Sequence, residues 1–123
     1  MSAIALQTMN QAGLARTYQA ATASDNVAGT PSGERVFIHA KNTNASTATI
    51  TINPVNPTST KVPGVGMVPI PAISVVVPAT TGDVMIGPIP SCYVDSQGNI
   101  TLLNTGTITN LTLAAIYMPT ADV

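Results

Sequence analysis

The stretch TATITIN, residues 47–53, constrains the fold more than any other in the chain. Ala48, Ile50 and Ile52 fall on one side of an extended backbone and Thr47, Thr49 and Thr51 on the other, because successive side chains of a strand point to opposite faces. This period of two predicts a half-buried antiparallel strand. The preceding RVFIHAK alternates in the same way, with Val36, Ile38 and Ala40 on one face and Phe37 and His39 on the other. NTNAS supplies the turn between them.

The same signals continue downstream in ISVVVPA, VMIGPIP, ITLLNTG and TNLTLAAIYM, separated by TTGD and by SCYVDSQGN, in which Gly98 suits a hairpin turn. In the last strand both Leu111, Leu113, Ala115 and Tyr117 and the opposite set Thr112, Ala114, Ile116 and Met118 are largely apolar, which predicts a strand that is either central or covered on both sides. Short strands with frequent turns make this an all-β chain, expected to form an antiparallel β-sandwich or jelly-roll-like small barrel over residues 33–123. Its core would be built from Val, Ile and Leu, since only 3% of the chain is aromatic.

Two segments stand outside that pattern. Residues 1–32 are rich in Ala, Gln, Thr and Ser, show weak helical spacing from Ile4 to Leu14, and end in the breaker cluster AGTPSGE. They are expected to form an extended N-terminal arm that orders on a partner, with Leu14, Arg16 and Tyr18 as its anchors. Residues 54–72 hold five prolines and two glycines in 19 residues, which predicts a long loop or an edge.

Charge narrows the choice of function. Charged residues make up 7% of the chain, against about 25% in an average soluble domain. A surface of Thr, Ser, Asn and Gln does little to keep copies apart, so it suits a protein packed against others. Arg16, Arg35, Lys41 and Lys61 are the chain's basic residues, too few and too scattered to neutralise a run of phosphates, so nucleic acid is not an expected partner. No apolar run reaches the roughly 18 residues of a membrane span, and the N-terminal stretch has neither a basic leader nor a continuous apolar core, so neither membrane nor secretory targeting is expected.

No residue set favours catalysis. His39 is the single histidine, and Glu34 is its nearest carboxylate in sequence, so metal-ligand spacing is absent and a sheet-face or interface role is expected. Cys92 lies alone in Pro-Ser-Cys-Tyr and reads as a small half-buried side chain. Asp25, Glu34, Asp83, Asp95 and Asp122 are dispersed, and DSQGN lacks the further acids of a calcium loop. No cofactor and no enzymatic activity are expected.

Several short motifs, taken in order, resemble a family. NQAGLARTYQAA, GERVFIHAKN, ATITI, ISVVVPA, MIGPIP and LTLAAIYM together are similar to small tailed-bacteriophage head decoration, or cement, proteins. Ala12, Gly13, Leu14, Thr17, Tyr18 and Ala20 match the first element of that resemblance, and Gly33, Arg35, Phe37, His39, Lys41 and Asn42 the second, with the Gly-Arg adjacency shifted by one residue. Val75, Val77, Pro78, Ala79, Ile86, Gly87, Pro88 and Pro90 match the later pair, whereas the proline-rich segment matches least.

The resemblance implies a sandwich bound to the outside of an expanded capsid, often as a homotrimer, that staples neighbouring subunits of the major capsid protein. Leu14, Arg16, Tyr18, Arg35 and His39 would be the interaction residues. The competing expectation is a tail or tail-tip adhesion module that binds a host surface glycan through the long loop; the scarcity of aromatic faces for stacking on sugar argues against it.

Overall fold

The computed structural model describes residues 2–28, 35–55 and 58–119. Within them lie the strands β1 (Ser2–Ala3), β2 (Leu6–Thr8), β3 (Gln19–Ala20), β4 (Ser24–Val27), β5 (Val36–Asn42) and β6 (Ala48–Ile52). There follow β7 (Ser59–Val62), β8 (Gly66–Pro69), β9 (Ile73–Val77), β10 (Gly82–Ile86), one 3₁₀ turn (Ser91–Tyr93), β11 (Ile100–Gly106) and β12 (Leu111–Tyr117). No helix among the described residues is long and apolar enough to cross a membrane.

Two sheets pack face to face as a β-sandwich. The first runs β1-β4-β11-β6-β9, and the second β10-β5-β12-β2 with β3 also paired to β12. Alternation sets the faces as expected: Val36, Ile38 and Ala40 of β5 and Ala48, Ile50 and Ile52 of β6 are all buried in the common core. Leu102, Ile100, Leu111 and Leu113 join them from β11 and β12. At about 25 cal/mol per Å² of apolar surface removed from water, this aliphatic layer is the main source of stability.

The expected arm is corrected over residues 2–28, which are woven into both sheets. β4 is an inner strand between β1 and β11, β1 runs parallel to β4, and β2 runs parallel to β12. Ile4 and Val27 enter the core, and no helix forms between Ile4 and Leu14. The physical reason is that this segment needs no core of its own when it can complete one built by the rest of the chain. Asp25, fully buried, accepts hydrogen bonds from Thr22 Oγ1 at 2.6 Å and Asn104 Nδ2 at 2.7 Å. Asn104 Nδ2 also donates to Thr22 O at 2.7 Å, which fastens the strand entry to the middle of β11. The breaker cluster and the end of the expected arm fall partly on residues 29–34, outside the described residues.

The proline-rich segment is also more ordered than expected. β7 and β8 form a separate antiparallel ribbon with Ser59 opposite Pro69 and Val62 opposite Gly66. Pro63 occupies the second position of its turn and Gly64 the third at φ 81°, the left-handed setting that such a turn requires; Val65 N–H closes it onto Val62 O at 3.0 Å. Prolines are tolerated because Pro63 lies in the turn and Pro69 at the ribbon's end, where no central ladder amide is lost.

Candidate functional site

The outward face of the second sheet gathers a cluster of aromatic, charged and polar side chains. His39 projects from β5 away from the core, with Lys41 two residues on along the same face. Register places Ala114 of β12 opposite His39 on one side, and Met85 of β10 on the other, with Asp83 opposite Lys41. β3 pairs with the far edge of β12, so Tyr18, just before it, must reach across β12 to touch His39. Ala114 lies beneath that crossing and is fully buried although it faces outward.

The cluster has a defined hydrogen-bond order. Asp83 Oδ1 lies 2.5 Å from His39 Nε2, and Tyr18 Oη lies 2.6 Å from His39 Nδ1. The hydrogen bond from His39 holds the Asp83 carboxyl below its ordinary value, against a smaller opposing effect of burial, and the nearby Lys41 and Arg16 charges add to the lowering. An ionised Asp83 can only accept, so Nε2 carries the proton, and in the neutral imidazole Nδ1 accepts from the Tyr18 hydroxyl. The ring planes of Tyr18 and His39 meet edge-on with centroids 5.3 Å apart. Lys41 Nζ and Arg16 Cζ stand 5.1 Å and 6.0 Å from the Tyr18 ring centre, where cations are attracted to the aromatic face.

Arg16, Tyr18 and His39 are therefore brought together. Leu14 is half-buried in the segment leading to them. Arg35 stands apart: it precedes β5, its carbonyl accepts Met118 N–H at 2.9 Å, and it lies four positions, about 13 Å of extended chain, before His39. Asp83 and Lys41 complete the cluster although neither was named among the interaction residues; the spacing of two from His39 could have pointed to Lys41, while Asp83 depends on a cross-strand register that no local pattern encodes.

Both ring nitrogens of His39 are directed at protein partners and the residue is only 5% exposed, so neither is presented to an outside substrate. Among the described residues no group of three or more His, Cys, Asp or Glu is placed to hold a metal ion. Cys92 is half-buried against the core.

A second exposed feature lies on the β7–β8 ribbon. Val65 at its tip and Met67 beside it are 72% and 64% exposed, and no residue of either strand belongs to the core cluster. The ribbon's root is pinned instead: Val55 N–H donates to Cys92 O at 2.8 Å, and Tyr93 Oη–H to Pro71 O at 2.6 Å. Exposed apolar side chains on a held ribbon contribute little to folding and are available for contact.

No family model, curated protein or solved structure matches the chain.

Proposed function

We propose that this chain is a non-enzymatic structural protein of a bacteriophage particle, which binds the outer surface of the expanded capsid and bridges neighbouring subunits of the major capsid protein. The observation that carries the reading is the β7–β8 ribbon, whose Val65 and Met67 are exposed and take no part in the core. A folded chain gains nothing from apolar groups held in water, and such groups on a fixed ribbon suit insertion between two surfaces.

Two further features support it. Of the four Lys and Arg residues in the chain, Arg16 and Lys41 converge with His39 and Asp83 on one outward sheet face, which would orient the molecule on its partner. The outward face of the first sheet carries Thr49, Thr51, Ser74, Thr101 and Thr105 and tolerates close packing without charge repulsion. The ordered motifs of the N-terminal segment, β5 and β9 to β12 add their resemblance to head decoration proteins. A homo-oligomer, as in a trimer, would make each later contact intramolecular and convert weak single contacts into tight attachment.

The role first expected of residues 1–32 changes in this reading. Arg16 and Tyr18 act from a sheet-bound segment, and the ribbon takes the place of the arm as the element that reaches across a boundary. The test is co-sedimentation of the purified protein with expanded capsids lacking it: the native chain should pellet with the shells, and Val65→Asp/Met67→Asp should remain in the supernatant while staying folded. Equal pelleting of both would remove the ribbon from the docking surface.

A further inference from the structure

A pocket of about 220 Å³ opens on the outward side of the first sheet, lined by Asn53, Val55, Tyr93, Asp95, Asn99, Thr101 and Leu103. Its floor is β11, where Thr101 and Leu103 alternate with the buried Ile100 and Leu102 and so face away from the core. Asn53 follows directly on β6, and Asp95 and Asn99 come from the turn between the 3₁₀ segment and β11. The walls are preset: the bonds that pin Val55 to Cys92 and Tyr93 to Pro71 hold two of them. Asp95 Oδ1 accepts the backbone N–H groups of Gln97 at 2.8 Å and Asn99 at 2.9 Å. Little ordering entropy remains to be lost on binding.

We propose that this pocket binds one small, neutral, polyhydroxylated ring of hexose or cyclitol size. The volume lies below the ~300–1,000 Å³ of sites for drug-sized ligands, so it takes a single ring or the terminal residue of a chain. The polar lining is a carboxylate, two carboxamides and a hydroxyl, acceptors interleaved with groups that both donate and accept. Vicinal hydroxyls, which also do both, match that set. The lining contains no Lys or Arg, and Asp95 is negative, so phosphate and carboxylate ligands are repelled. Val55, Leu103 and the ring of Tyr93, whose hydroxyl is already engaged by Pro71, provide apolar contact for a C–H face. None of these residues lies on the ribbon or in the Tyr18–His39–Asp83 cluster, so the site stands independently of the docking reading.

A ligand of about a dozen non-hydrogen atoms binds with roughly millimolar affinity. The experiment is therefore a ¹⁵N-NMR titration of the full chain with methyl glucoside, methyl galactoside, N-acetylglucosamine and myo-inositol over about 1–20 mM, a range set by that affinity. Inorganic phosphate and tetramethylammonium serve as charged comparators. The expected result is saturable shifts at the backbone amides of Asn53, Val55, Gln97, Asn99, Thr101 and Leu103 for at least one polyol, with none for phosphate. Thr101→Val, isosteric and outward-facing, should weaken that binding about fivefold or more while leaving core resonances in place. Absence of saturable shifts for every polyol overturns the proposal, as does saturation by tetramethylammonium alone or undiminished binding in Thr101→Val.

Discussion

Asn104 donates from Nδ2 to Asp25 Oδ2 at 2.7 Å, joining two buried side chains 79 positions apart. The bond closes the first sheet by locking β4 to β11, and neither residue has water to fall back on. Replacing Asp25 by Ala leaves one of the two Asn104 amide N–H groups and the Thr22 donors without their acceptor. The expected loss is about 2–4 kcal/mol of folding free energy, read from the urea midpoint at unchanged slope.

Removal of residues 1–28 should unfold the molecule. β4 is an inner strand, so the truncation strips β11 of a partner along a whole edge and opens the core at Ile4 and Val27. Circular dichroism and thermal melting of the truncated chain are expected to show no cooperative transition. A melt like that of the full chain would restore the separate-arm reading.

Tyr18→Phe deletes the hydroxyl bonded to His39 Nδ1 and keeps the ring between Arg16 and Lys41. The expected cost is about 0.5–1.5 kcal/mol, because His39 is buried and loses one partner. The imidazole resonances of His39 should move in the same variant.

Acid should weaken the fold through two carboxylates. The His39 hydrogen bond lowers the Asp83 value, and the backbone N–H groups of Asn99 and then Gln97 lower that of Asp95. A depressed folded value means stability that is complete above the unfolded value of about 3.9 and is lost as pH falls through the folded one. Urea midpoints measured near pH 6 and near pH 3, on either side of about 3.9, should therefore differ. The difference should shrink in Asp83→Asn/Asp95→Asn, which has no such charges to protonate.

Val65→Asp/Met67→Asp should change stability by no more than about 0.5 kcal/mol, since both positions are exposed and outside the core. Thermal melting checks this, and it separates loss of docking from loss of fold.

Much of the sandwich was legible because β5, β6, β11 and β12 are five to seven residues long and alternate cleanly, enough repeats of the period for a face to show. β1, β2 and β3 have two or three residues each and β4 reads SDNV, so no period could appear there; their strand character comes from partners far along the chain. Pairing itself was hidden for a related reason. Among the described strands only β7 and β8 are consecutive neighbours, so elsewhere no turn sets the register. That is why Tyr18, His39 and Lys41 could be noticed singly while their meeting with Asp83 could not.

The central claim, that this chain is a multi-copy component of a capsid exterior, is tested most directly by counting. If the proposed function holds, quantitative mass spectrometry of purified bacteriophage particles should find this chain at a simple fraction of the major capsid protein, amounting to hundreds of copies per particle. A handful of copies would place it at a vertex or the tail, and its absence from the particles would contradict the account.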